Sequence, residues 1–134
     1  MIRGYSNLVF LFGFISIYPQ NINLYLTLLE KGSIQEVKDN LPELLDRYPN
    51  DAAVYYIQAL VNDDGESSIN QFQTITKNFP KSEYAAKSEM KLGEYFFARG
   101  LYSQASSQFK KVIYKYIDFK DHQRALDLMV NSFL

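Results

Sequence analysis

Cysteine is missing from all 134 residues, which removes disulfides, thiolate nucleophiles and every zinc or iron–sulfur site built on sulfur. Tryptophan is absent too, and histidine occurs once, at His122. A single imidazole leaves no serine–histidine–carboxylate triad and no pair of nitrogen ligands for a metal. No glycine-rich phosphate loop is present, and no serine stands in a nucleophile-elbow setting. Charge of one sign is lacking as well. Fourteen basic residues against fifteen acidic ones give a net charge of −1, and the only adjacent basic pair is Lys110-Lys111. Without a basic excess or stripe there is nothing to neutralise a phosphate backbone, so nucleic acid is set aside as a partner. The expectation is a protein that is not an enzyme, with no catalytic residues, no cofactor and no metal.

Two acidic stretches were weighed against that expectation. Asp118, Asp121 and Asp127 surround His122, with Asp118 and His122 four residues apart, but no second histidine or cysteine supports them. Acidic side chains near the positive end of a helix account for the cluster. The run Asn62-Asp63-Asp64-Gly65-Glu66 resembles part of a calcium loop, yet it lacks the alternating ligands and the distal bidentate glutamate. A helix–helix turn is expected there.

Long hydrophobic runs are also scarce. The longest, Leu8 to Tyr18, has 11 residues broken only by Gly13 and Ser16; Arg3 precedes it and Pro19 closes it. As a helix it would rise roughly 16 Å, about half of a ~30 Å bilayer core. That is short for a span but fits the apolar part of a secretory signal peptide. No small-x-small cleavage site follows, and a lipoprotein anchor would need a cysteine. Residues 1–19 are therefore read as a signal peptide or an N-terminal apolar helix, and residues 20–134 as one helical domain. Membrane contact is expected only through that N-terminal segment.

What is present is material for a core. Apolar residues make up 47% of the chain and aromatics 16%, carried by eleven tyrosines and ten phenylalanines. That composition belongs to a packed domain and not to a disordered one. Three segments repeat: LPELLDRYP from Leu41, FQTITKNFP from Phe72 and FKKVIYKYI from Phe109. The second starts 31 residues after the first, and the third 37 after the second. Apolar residues within and before them recur at steps of three and four (Val37, Leu41, Leu44, Tyr48; Ile69, Phe72, Ile75, Phe79; Ala105, Phe109, Val112, Tyr116), which predicts helices. A second helix is expected ahead of each. Gly32, Gly65 and Gly100 are read as the points where the chain reverses between paired helices. Pro49 and Pro80 should stop the second helix of their units, and Pro42 should kink one. Ser82 is expected to cap the next helix. The segment from Lys120 to Leu134 reads as one further helix ending on an apolar turn, Phe133-Leu134.

The third unit, KLGEYFFARGLYSQASSQFKKVIYKYI, resembles the tetratricopeptide repeat (TPR) consensus: Leu92-Gly93, an aromatic at Phe96, Ala105, then Phe109. Small residues at Gly93 and Ala105 would let two helices approach while Phe96 and Phe109 fill the space beside them. Ile117 stands at the usual terminal proline and Glu89 at the early tryptophan. The resemblance implies an all-α fold, an α-solenoid of antiparallel helix pairs with about three units and a final helix. With its Tyr-Pro-Asn and Phe-Pro-Lys-Ser linkers and apolar start, the chain resembles the bacterial envelope branch. That branch includes the outer-membrane assembly lipoprotein and the Tol–Pal-associated proteins. The implied role is a non-catalytic protein–protein interaction scaffold, periplasmic or at the cell envelope, with a cytoplasmic adaptor as the alternative, or a helical piece of a larger protein. In such arrays the first helix of each unit lines a concave groove. Mapped from Gly93, the groove positions are Lys87, Met90, Glu94 and Phe97, suited to a peptide or helix of a protein partner. Partner identity and oligomeric state stay open.

Overall fold

The computed structural model describes residues 18–134, with side chains from Ile22 onward. The reading of residues 1–19 as a leader lies outside the described residues except at Tyr18 and Pro19. These two open the first helix, where proline lacks only an N–H that would have no intrahelical partner.

Among the described residues there are seven α-helices and no strand: α1 Tyr18–Glu30, α2 Ile34–Arg47, α3 Ala52–Leu60, α4 Gly65–Asn78, α5 Glu83–Ala98, α6 Tyr102–Lys115 and α7 His122–Asn131. The fold is all-α. Each helix packs on the next in the chain, and α3 also touches α1 and α5. Short links of three or four residues turn α1 into α2, α3 into α4 and α5 into α6, which leaves three helix pairs followed by α7.

The core follows the same order. One cluster joins α1, α2 and α3 around Ile22, Val37, Leu44, Val54 and Ile57. A second joins α3, α4 and α5 around Tyr56, Ala59, Phe72, Ile75 and Leu92. The third joins α5, α6 and α7 around Met90, Ala105, Phe109, Val112 and Ala125. Leu26 and Tyr84 each touch the first two clusters, and Phe96 touches the last two. These shared residues link the three clusters in chain order.

Local chemistry explains where the helices turn. Gly32 and Gly100 have φ of 82° and 72°, a left-handed conformation that costs an L-residue about 1–2 kcal/mol. Each sits in a Schellman closure. Gly32 N–H donates to the Leu29 carbonyl and Ser33 N–H to Leu28, and Gly100 N–H and Leu101 N–H do the same to Phe97 and Phe96. Gly65 does not share this role. It is the first residue of α4, its φ is not positive, and Asp64 ahead of it accepts from Ser67 N–H at 2.8 Å. The link there is four residues long, and the shorter spacing of the second unit comes from α3, which has 9 residues against 16 in α5. Ser82 caps α5 by accepting from Tyr84 N–H at 3.1 Å, and Asp51 caps α3 from Ala53 N–H at 2.8 Å. Helix α2 runs from Ile34 to Arg47 through Pro42, with buried Val37 and Leu44 on either side holding it to the core. Beyond α7, Phe133 and Leu134 are 73% and 99% exposed, so the apolar last turn does not tuck inward.

Candidate functional site

Small residues set the spacing of α5 and α6. Gly93 is buried in α5, and a Cβ built there would lie 2.4 Å from Phe109 Cε1. Phe109 itself has no solvent exposure, and neither has Ala105 beside it. The aromatic face of α6 therefore rests on the backbone of α5, and Lys87, Met90, Lys91 and Glu94 on the adjoining face of α5 line a cavity. Ala59 is a buried small residue of α3, in one cluster with Phe72 and Ile75. Its carbonyl also accepts from Ser68 Oγ at 2.7 Å, which ties α3 to α4.

The cavity has a volume of about 380 Å³ and is lined from the odd-numbered helices: Leu26, Leu29 and Glu30 of α1, Tyr56 and Leu60 of α3, and the four residues of α5. Phe119 to Asp121, just ahead of α7, and Arg124 within it close the end. A somewhat larger hollow of about 430 Å³ lies between the start of α5 and residues 115–120. It draws on one pair and the links that enter and leave it, whereas the first joins every odd-numbered helix.

Three of the four expected groove positions, Lys87, Met90 and Glu94, line this cavity. Phe97 does not. It lies one turn further along α5 and meets Tyr102 of α6 edge-on, with ring centroids 5.3 Å apart. The Schellman turn at Gly100 brings the start of α6 back against that face, which makes Phe97 part of the packing between the pair. Met90 is 4% exposed, so it forms the floor of the cavity and belongs to the core at once.

The electrostatics are organised around Glu94. Arg124 Nη2 of α7 reaches Glu94 Oε1 at 2.7 Å, and Lys91 Nζ reaches Oε2 at 3.1 Å. Lys87 is engaged with Glu83 at 3.4 Å and lies over the Tyr84 ring, 4.3 Å from its centroid. Tyr56, at 7% exposure, stacks obliquely against Phe72 and Tyr84. Burial raises the pKa of its hydroxyl well above the ordinary tyrosine value, with Glu94, Tyr84 and Asp121 adding to the shift. Tyr84 is pushed up to about 12, by burial first and Glu83 second. Both phenols are neutral hydrogen-bonding groups at physiological pH and are not poised as bases.

A comparison with family models found no match, and neither curated proteins nor solved structures gave a significant one.

Several residues of the two acidic stretches have other partners. His122 Nε2–H donates to the Ile113 carbonyl at 3.0 Å, tying the start of α7 to α6. In the acidic turn, Asp63 pairs with Lys38 at 2.6 Å, Asn62 donates to Ser67 and Gln71, and Asp64 is the cap of α4. Among the described residues no group of three or more histidine and acidic side chains is arranged to hold a metal. Glu89 is 4% exposed; its Oε2 accepts no hydrogen bond and sits 3.7 Å from Lys111 Nζ.

Sequence reasoning confined to the third unit missed Leu29, Leu60, Lys91 and Arg124. Their signal was the repeat itself. If α5 lines a groove, α1 and α3 occupy the same place in their own pairs, and α7 follows in the same alternation.

Proposed function

We propose that this protein is a non-catalytic scaffold of the tetratricopeptide type that holds a segment of another protein in the cavity between its odd-numbered helices. The observation that carries the reading is the lining. Side chains of α1, α3, α5 and α7 converge on one concavity with an apolar floor (Leu29, Tyr56, Leu60 and Met90) and charged residues around it. A recognition surface needs an apolar centre to supply affinity and a polar rim to set orientation. The succession of helix pairs and the seating of Phe109 on Gly93 support the tetratricopeptide reading. So do the Schellman turns that end the first helix of two pairs.

The envelope placement belongs to the same proposal and rests on the apolar run Leu8–Tyr18 behind Arg3. Among the described residues no helix is long and apolar enough to cross a membrane. Mass spectrometry of the native-start chain, expressed in a bacterium with an outer membrane, reads the placement directly. Loss of the leader with product in the periplasm is expected, and an unprocessed cytosolic chain would refute it.

The groove itself is tested by photo-crosslinking in the native cell. A photoreactive residue is placed at Glu30 on the rim, and a control is placed at Tyr114, which is 70% exposed on α6. A discrete adduct at Glu30 and none at Tyr114 is expected. Adducts of the same pattern from both positions, or from Tyr114 alone, would remove the groove from consideration.

A further inference from the structure

The cavity has a charge bias that narrows what it can hold. On the wall made by α5 and the start of α7 stand four cations, Lys87, Lys91, Lys120 and Arg124, against two anions, Glu94 and Asp121. Glu94 is already shared between Lys91 and Arg124, so one carboxylate faces two cations there. Lys120 is exposed and makes no ion pair among the described residues. The opposite wall, on α1, carries Glu30 alone. Between the walls the floor is apolar.

We propose that the occupant of this groove is an acidic protein segment. A large apolar side chain seats on Leu29, Leu60 and Met90, with one or more carboxylates beside it directed at Lys120 and at the Lys91–Arg124 pair. The proposal rests on the scaffold reading above and specifies its partner. The volume of about 380 Å³ is at the low end for sites that enclose a small ligand. It takes an anchoring side chain or two, and the rest of the segment lies across the rim. Carboxylates complete the charge of the cationic wall, where a basic segment would meet more like charge than opposite. Glu94 shows the chemistry on a small scale, because the chain's own carboxylate is gripped by cations from two helices at 2.7 and 3.1 Å. Such contacts lie at the surface and are screened by salt over about 10 Å at 0.1 M, so binding should weaken as ionic strength rises.

The test exploits the absence of cysteine. A Glu30→Cys variant carries one thiol, on an exposed rim position, and capping it with a bulky maleimide blocks the cavity without touching the core. A random peptide library is panned on the full chain, and binders are sorted by whether the cap abolishes binding. The cap-sensitive peptides are expected to pair a large apolar residue with Asp or Glu. Lys120→Glu should weaken them by about three- to tenfold at low salt, the scale of an exposed charge contact reversed. Cap-sensitive peptides that are basic or uncharged, and indifferent to Lys120→Glu, would overturn the acidic-segment proposal and leave the groove reading standing. Binders that ignore the cap, or no binders at all, would overturn the groove reading and this inference together. Unchanged circular dichroism and melting of both variants confirm that the loss is not one of fold.

Discussion

Replacing Gly93 by alanine is the sharpest probe of how the pairs are held together. In an exposed helix the change would stabilise by about 1 kcal/mol, because alanine is the better helix former. Here the new Cβ would meet three atoms of one ring, at 2.4, 2.7 and 2.9 Å. Ordinary carbon contacts lie at about 3.5–4.0 Å, so the ring or the helix must retreat by roughly 1 Å. Phe109 has no room to do so, being fully buried among Met90, Ala105, Val112 and Ala125. Overpacking of that kind costs about 1–3 kcal/mol. With a displacement this large the upper half applies, and after subtracting the helix gain the net loss is about 1–2 kcal/mol. Urea unfolding followed by far-ultraviolet circular dichroism measures it, and the melting temperature should fall by roughly 4–8 °C. A companion variant separates the two contributions. Phe109→Val removes the ring atoms that clash, at a cost of about 3 kcal/mol of its own. In that background Gly93→Ala should become neutral or stabilising, a coupling of about 1–3 kcal/mol. If Gly93→Ala stabilises the otherwise unaltered protein, the close approach of α5 to α6 through Phe109 is refuted.

Three further outcomes are expected. Gly100→Ala should cost about 1–2 kcal/mol from its left-handed φ alone, since nothing lies within 4 Å of the added Cβ; no coupling to Phe109→Val should appear in a double-mutant cycle. Glu89 has its pKa raised above the ordinary value of 4.5, chiefly by burial, with Lys111 and Lys115 opposing. The folded state therefore holds the proton to higher pH than the unfolded one, and stability falls as pH rises from about 4.5 through the raised value. Glu89→Gln should accordingly gain on the original protein at pH 7 and lose that advantage toward pH 4 in paired thermal melts. A gap that widens in acid would contradict the burial argument. Arg124→Ala removes the partly exposed contact to Glu94 and should cost about 0.2–1 kcal/mol, with amide exchange in α7 speeding up more than in α3 or α4; uniform change across the chain would contradict it.

Most of the helical order was legible in the residues. The amphipathic spacing of Val37, Leu44, Phe72, Ile75, Phe109 and Val112 placed α2, α4 and α6, and each of these six side chains is buried. Gly32, Gly100 and Ser82 announced their turns because one conformation or one hydrogen bond explains each. Gly65 misled, since the same residue type serves equally as a left-handed terminator and as an unremarkable first residue of a helix; the distinction lay in Asp64 and its bond to Ser67. At the site, the register counted from Gly93 brought Lys87, Met90 and Glu94 to the cavity. Phe97 lies outside that lining, because the turn at Gly100 folds Tyr102 back over that position.

What the sequence determined by itself is everything set within a few residues: which segments are helical, which face of each is apolar, and where the chain can reverse. These depend on periodicity, capping and backbone freedom, which act locally and can be counted along the chain. What only the tertiary structure decided is which faces meet. That Arg124 would close on Glu94, that Leu29 and Leu60 would share a floor with Met90, and that Glu89 would be sealed from water all depend on how successive pairs stack. Stacking is set by the close packing of side chains far apart in sequence, such as Phe109 on Gly93. No local pattern carries that information, because the same amphipathic stripe packs equally well against many partners until shape selects one.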